Sequence, residues 1–149
     1  MTRFIPAAAL LASLLAPFAA SAQPKKVDFM ADLVARGFFR ALVKGDAAAL
    51  MPLCSEQVSF DGRLVRGKKG LAAALGALTR RARIHKLKLR KVVLMPYAEA
   101  VKRFGPPPVR LRGAAKAGRV VALGAFERGG AALILAREGR FWRVVALTD

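Results

Sequence analysis

The sequence predicts one α+β domain: an antiparallel sheet packed on a long N-terminal helix and two shorter helices. Three observations carry this reading. Residues 27–44 repeat polar side chains every four positions, a helical period. Residues 71–82 place apolar side chains at spacings of four, three and four. Residues 119–147 hold three apolar runs joined by short links, the pattern of an antiparallel meander. The chain has 149 residues, enough for one domain and too few for two ordinary ones. With 55% hydrophobic and 24% charged residues, it can build a packed core and is not a disordered polyelectrolyte.

Residues 1–22 read as an export signal. Arg3 supplies the positive start, and Phe4 to Ala20 is uncharged and rich in Ala and Leu. Ala20-Ser21-Ala22 offers small residues to a signal peptidase, so the cut is expected between Ala22 and Gln23. The apolar stretch is interrupted by Pro6 and Pro17 and is short for a span of about 20 residues. The expected address is the periplasm or the exterior, and residues 23–149 form the single domain.

Val27 to Lys44 is the clearest helix. Asp28, Asp32, Arg36, Arg40 and Lys44 form its wet stripe, and Met30, Val34, Phe38, Ala41 and Leu42 its core face. Gly45 suits a C-terminal cap, and Asp46 the N-cap of a short helix over Ala47 to Leu53. Gln57 to Phe60 is a strand, Asp61-Gly62 a turn, and Leu64-Val65 the returning strand. Gly67 to Gly70 opens the third helix. Leu87 and Leu89 alternate with Lys86, Lys88 and Arg90, which predicts a strand over Ile84 to Leu94 with one basic face. Pro96 to Phe104 fits a short helix followed by Gly105. Arg119 to Phe126, Ala131 to Arg137 and Phe141 to Leu147 are the final strands. Phe38, Leu42, Leu50, Leu75, Val121, Leu133, Trp142 and Val144 are expected in the core or in the wall of a pocket.

Three stretches resemble the nuclear transport factor 2-like superfamily, in its SnoaL-like bacterial branch. They are ALVKGDAAALMPLCSEQVSFDG (41–62), VRGKKGLAAAL (65–75) and GRFWRVVALTD (139–149). The resemblance implies a curved sheet wrapped around the long helix, forming a cone with an apolar pocket at its open end. Phe38, Leu42, Phe60 and Trp142 are its expected lining, and a small apolar ligand its expected occupant. It also implies a homodimer, formed through the sheet. Residues 95–117 depart from the pattern, as an insertion or a rebuilt edge.

The resemblance brings a candidate chemistry, proton transfer beside a ketone. It needs a carboxylate base and a hydrogen-bond donor for the developing enolate. Asp61 matches the base position of steroid isomerases. The donor position, eight residues before Asp46, holds Phe38, which cannot donate. Tyr97, the only Tyr, lies in the departing stretch. His85 is the other candidate base, and it sits among Arg83, Lys86 and Lys88. An Asp-Gly turn also explains Asp61 without catalysis. These residues favour a binding domain over an isomerase or dehydratase.

With Cys54 and His85 the only members of their types, a Cys/His zinc site and an internal disulfide are excluded. No metal or other cofactor is indicated. Gly62 to Lys69 approaches a phosphate loop, but Lys69 stands where the magnesium-binding hydroxyl is needed. The formal charge of +18 favours anionic partners. Arg80, Arg81, Arg83, Lys86, Lys88, Arg90 and Lys91 fall within twelve residues, a candidate track for an anionic envelope polymer or membrane surface. No aromatic side chain lies between Leu64 and Pro96 to stack on bases, so a specific nucleic-acid partner is not expected.

Overall fold

The structure, a computed structural model, describes residues 26–149. The export segment, residues 1–22, lies outside them. Helix α1 spans Phe29–Lys44. Asp28 caps it by accepting from Met30 N–H at 2.8 Å. Ala31, Ala35, Phe38, Phe39, Ala41 and Leu42 form its buried face. Met30, expected on that face, is 50% exposed, because it stands one residue, about 100° of helix rotation, off the fully buried Ala31. On the wet stripe Arg36 pairs with Asp32 at 2.8 Å.

Gly45 ends α1 with φ of 74° and donates its N–H to Leu42. A left-handed residue is needed here, and a Cβ would also stand 2.7 Å from Arg83 Cδ. Asp46 caps helix α2, Ala47–Leu50, by accepting from Ala49 N–H at 3.0 Å. A 3-10 turn, Met51–Leu53, leads into strand β1, Cys54–Phe60. Asp61 and Gly62 turn the chain, both at positive φ, into β2, Arg63–Arg66.

Helix α3, Gly67–Ile84, buries Leu71, Leu75, Thr79 and Ala82. It has 18 residues against 16 in α1, so it is not the shorter helix the sequence suggested. It is followed by β3, Leu89–Pro96, then α4, Tyr97–Phe104, and a 3-10 turn at Val109–Leu111. The meander follows as β4, Val120–Phe126, β5, Gly130–Glu138, and β6, Phe141–Thr148.

The sheet is open and six-stranded, in the order β2-β1-β6-β5-β4-β3. It is mixed and not wholly antiparallel. β1 runs parallel to β6, pairing Ser59 with Ala146 and Phe60 with Leu147, while every other pair is antiparallel. The long path from β1 through α3 and the meander brings the last strand back beside the first, with the length of chain that a parallel pair requires.

The inner sheet face and the helices α1 to α3 enclose the main core around Phe38, Phe39, Leu50, Leu75, Leu133 and Val144. Phe39 is fully buried and meets Phe38 and Phe126 edge-on, at centroid distances of 6.3 and 6.0 Å. Burying such a ring contributes roughly 1.5–3 kcal/mol. Gly124 on β4 makes room for it, since a Cβ there would stand 2.5 Å from Phe39 Cε1. All eight core residues expected from the sequence are buried.

The departing stretch covers the other sheet face. Ala100 on α4, with Leu111 and Ala114 beyond it, packs on Met95, Val121, Ile134 and Ala146. The β3–β6 half of the sheet is thus buried on both sides.

Candidate functional site

A cavity of about 250 Å³ opens where α1 and α3 end, between the helices and the sheet. Leu42, Leu78, Ala82, Leu87, Phe126 and Leu147 give it an apolar wall. Helical spacing puts Leu78 and Ala82 on one side of α3, and Leu42 faces them from the last turn of α1. The β4–β5 turn closes another side through Arg128, Gly129 and Gly130. Arg81, His85, Arg128 and Asp149 stand on the rim, all exposed. Arg81 and Asp149 pair at 3.1 Å.

A second, wider concavity of about 930 Å³ lies outside, between β1, β6 and residues 109–119. Its wall mixes polar side chains, Ser55, Gln57 and Ser59 on β1 and Arg143 on β6, with the apolar Leu64, Val109 and Val145. Its strong donors are satisfied within the fold. Arg143 donates to the Pro52 carbonyl and lies 5.1 Å from the Phe141 ring. Arg119 donates to the Ala114 carbonyl, and Ser55 Oγ to Glu138 Oε1 at 2.5 Å.

The three candidate catalytic residues stand on separate elements. Asp61 serves its turn. Its N–H donates to Leu147, and its carboxylate accepts from Thr148 Oγ1 at 2.7 Å and lies 3.4 Å from Arg110. His85 sits on the cavity rim just past α3. Tyr97 starts α4 and packs against the outer core. Among the described residues no hydrogen bond links any two of them. Asp61 lines neither concavity.

Of the expected lining, Leu42 borders the inner cavity. Phe38 is sealed in the core at 1% exposure, and Phe60 packs half-buried on the same core. Trp142 is buried near Asp28, at the opposite end of α1. The Met30 N–H holds the Asp28 carboxyl below its usual range, with the Trp142 indole and the Arg137 charge adding to this.

The basic track is broken up. Helix α3 continues to Ile84, and Lys86 turns the chain at φ of 48°, so the strand begins only at Leu89. Lys86, Lys88 and Arg90 therefore do not share one strand face. Glu127, on the β4–β5 turn, pairs with Arg90 at 2.7 Å and with Lys88 at 3.9 Å. Arg80 and Arg83 are exposed on α3, and Arg83 also packs over Gly45. Lys91 is exposed on β3.

Burial pushes the Cys54 thiol up to about 12, against a small opposing effect of Arg143. Among the described residues no group of three or more His, Cys, Asp or Glu is placed to hold a metal ion, and no helix is long and apolar enough to cross a membrane. Sequence reasoning missed Arg128, Leu147 and Asp149 as neighbours of His85. They lie far along the chain, and only the sheet order brings them to the ends of α1 and α3.

No protein-family model matches this sequence, and no curated relative matches it. Among solved structures, it is similar to an uncharacterized protein with a cystatin-like fold from Caulobacter vibrioides. The two share 12% identity over 80% of this chain and 84% of that one, with a TM-score of 0.51. It is also similar to a nuclear transport factor 2-like protein from Burkholderia xenovorans LB400. There the identity is 17% over 83% of this chain and 90% of that one, with a TM-score of 0.39. The first likeness speaks for the fold alone, and the second superposition is too loose to add to it. The open sheet packed on α1 and α3 agrees with the α+β fold class expected from the sequence.

Proposed function

We propose that this chain is an exported, non-catalytic binding domain of the SnoaL-like kind, which holds a small, largely apolar ligand at the end of α1 and α3. The observation that carries the reading is the apolar cavity itself. Seven apolar side chains line this space of about 250 Å³, which opens to solvent between the helices and the sheet. A concavity with an apolar wall and a few polar groups at its edge is the usual setting for a small ligand. The sequence from Arg3 to Ala22 supports export. The employment of Asp61 in its turn, with no hydrogen bond to His85 or Tyr97 among the described residues, supports binding over proton transfer.

The test fills the cavity. Ala131 lines it at the start of β5, where a larger side chain suits a strand. Thermal-shift screening with small aromatic and aliphatic compounds should raise the Tm of the purified protein. The Ala131→Phe variant should fold with a similar Tm and lose the shift. Equal shifts in both proteins would overturn the reading.

A second reading concerns the basic surface. Lys68, Lys69, Arg80 and Arg83 are exposed on α3, and none pairs with a carboxylate among the described residues. Such a face favours weak, salt-sensitive contact with anionic envelope polymers or membranes. Joint replacement of Arg80 and Arg83 by Gln should lower the salt needed to elute the protein from heparin. Unchanged elution would mean that the charge is diffuse.

A further inference from the structure

We propose that the ligand of the inner cavity is a monocarboxylate with a short apolar body, its carboxylate held at the rim by Arg128. The inference rests on the binding reading above and names the class of ligand. Its ground is the contrast between wall and rim. The wall is apolar, whereas the rim carries Arg81, His85 and Arg128 against a single acid, Asp149. Asp149 is engaged by Arg81 at 3.1 Å. Glu127, the acid next to Arg128 in sequence, is engaged by Arg90 and Lys88. Arg128 thus pairs with no carboxylate among the described residues, although it borders an apolar space.

An anion on this rim gains charge-assisted hydrogen bonds while its head stays in contact with water. Its desolvation cost is therefore small, and the body supplies the hydrophobic term. A guanidinium suits a carboxylate in particular, because its planar fork can donate two parallel bonds.

One effect opposes this. α1 and α3 both end here, and helix C-termini carry partial negative charge of about half a unit. Several of their last carbonyls, however, are occupied. Gly45 and Asp46 N–H groups donate to Leu42 and Ala41, and those of His85, Lys86 and Leu87 to Arg81, Arg83 and Ala82. Arg128 comes from the β4–β5 turn, off both helices. Its full charge outweighs the capped dipole ends.

Volume sets the size of the body. An apolar cavity of about 150 Å³ binds benzene. A space of about 250 Å³ takes a ring with a short arm, or a short alkyl chain.

Calorimetric titration of the purified protein with 3-phenylpropionate, its neutral amide and 3-phenylpropylamine tests the class. The acid should bind about tenfold more tightly than the amide, a difference of about 1.4 kcal/mol. The amine should bind least, and added salt should narrow the preference. Arg128→Gln should bring the acid down to the level of the amide and leave the amide unchanged. Equal binding of acid and amide by the parent protein would overturn the anionic class and leave the cavity reading standing. An acid preference that persists in Arg128→Gln would overturn the role of Arg128. If none of the three binds, both this inference and the cavity reading fall.

Discussion

The two concavities differ in a way that size conceals. The outer one is nearly four times larger, about 930 against about 250 Å³. Yet its polar groups already hold one another: Arg143 the Pro52 carbonyl, Arg119 the Ala114 carbonyl, Ser55 the Glu138 carboxylate. A ligand there would displace water from a satisfied surface. In the smaller inner space, apolar side chains meet solvent and Arg128 lacks an acidic partner. Unmet demand marks a site better than volume does.

The comparison breaks most visibly at Phe39. Truncation to Ala removes a fully buried ring and should cost about 3–5 kcal/mol, read by urea unfolding. Because Phe39 supports Phe126, which lines the inner cavity, milder changes there should weaken inner binding first. A conservative Phe39→Leu that left ligand affinity untouched would show that the wall does not depend on this ring.

A smaller effect is expected outside. Arg143→Ala removes the donor to Pro52 and the contact with Phe141, and should cost about 1 kcal/mol. Inner ligand affinity should stay as it was. A parallel loss of affinity would join the two regions into one unit.

The smallest effect concerns Cys54, which borders the outer concavity. Its thiol ionises near about 12 when folded, against 9.0 for an ordinary thiol. It should resist iodoacetamide at pH 8, and reaction should report unfolding. Below pH 9 both states keep the proton, so stability is unaffected. As pH rises from 9 toward 12 only the unfolded thiol ionises, so stability should fall. Rapid alkylation of the native protein would show the outer region to be more open than its packing implies.

Local features were legible in the sequence, and pairings across the chain were not. Gly45 and Asp46 announced a helix end and a helix start, because capping is settled within a few residues. The meander was legible for the same reason, since short links dictate antiparallel neighbours. The parallel β1–β6 pair was not, because it joins strands about 85 residues apart, where loop length no longer constrains direction. The alternation at 86–90 misled, since the left-handed turn at Lys86 comes from the continuation of α3 and not from local period. One signal went unused. VVALGAF, residues 120–126, has no polar alternation, the mark of a strand covered on both faces. It pointed to a cover for the outer sheet, which residues 97–115 provide. The site itself was half legible. Leu42 was readable from helical period, whereas Arg128 and Asp149 meet His85 only through the folded order of strands.

The close seat of Phe39 on Gly124 has an evolutionary consequence. At 2.5 Å, no side chain fits at position 124 while a ring occupies position 39. The two positions are bound to change together. A descendant that acquires even a methyl group at 124 must shrink residue 39, and Phe126 would then settle inward. Ligand choice in this lineage would drift through a substitution at a position outside the cavity wall.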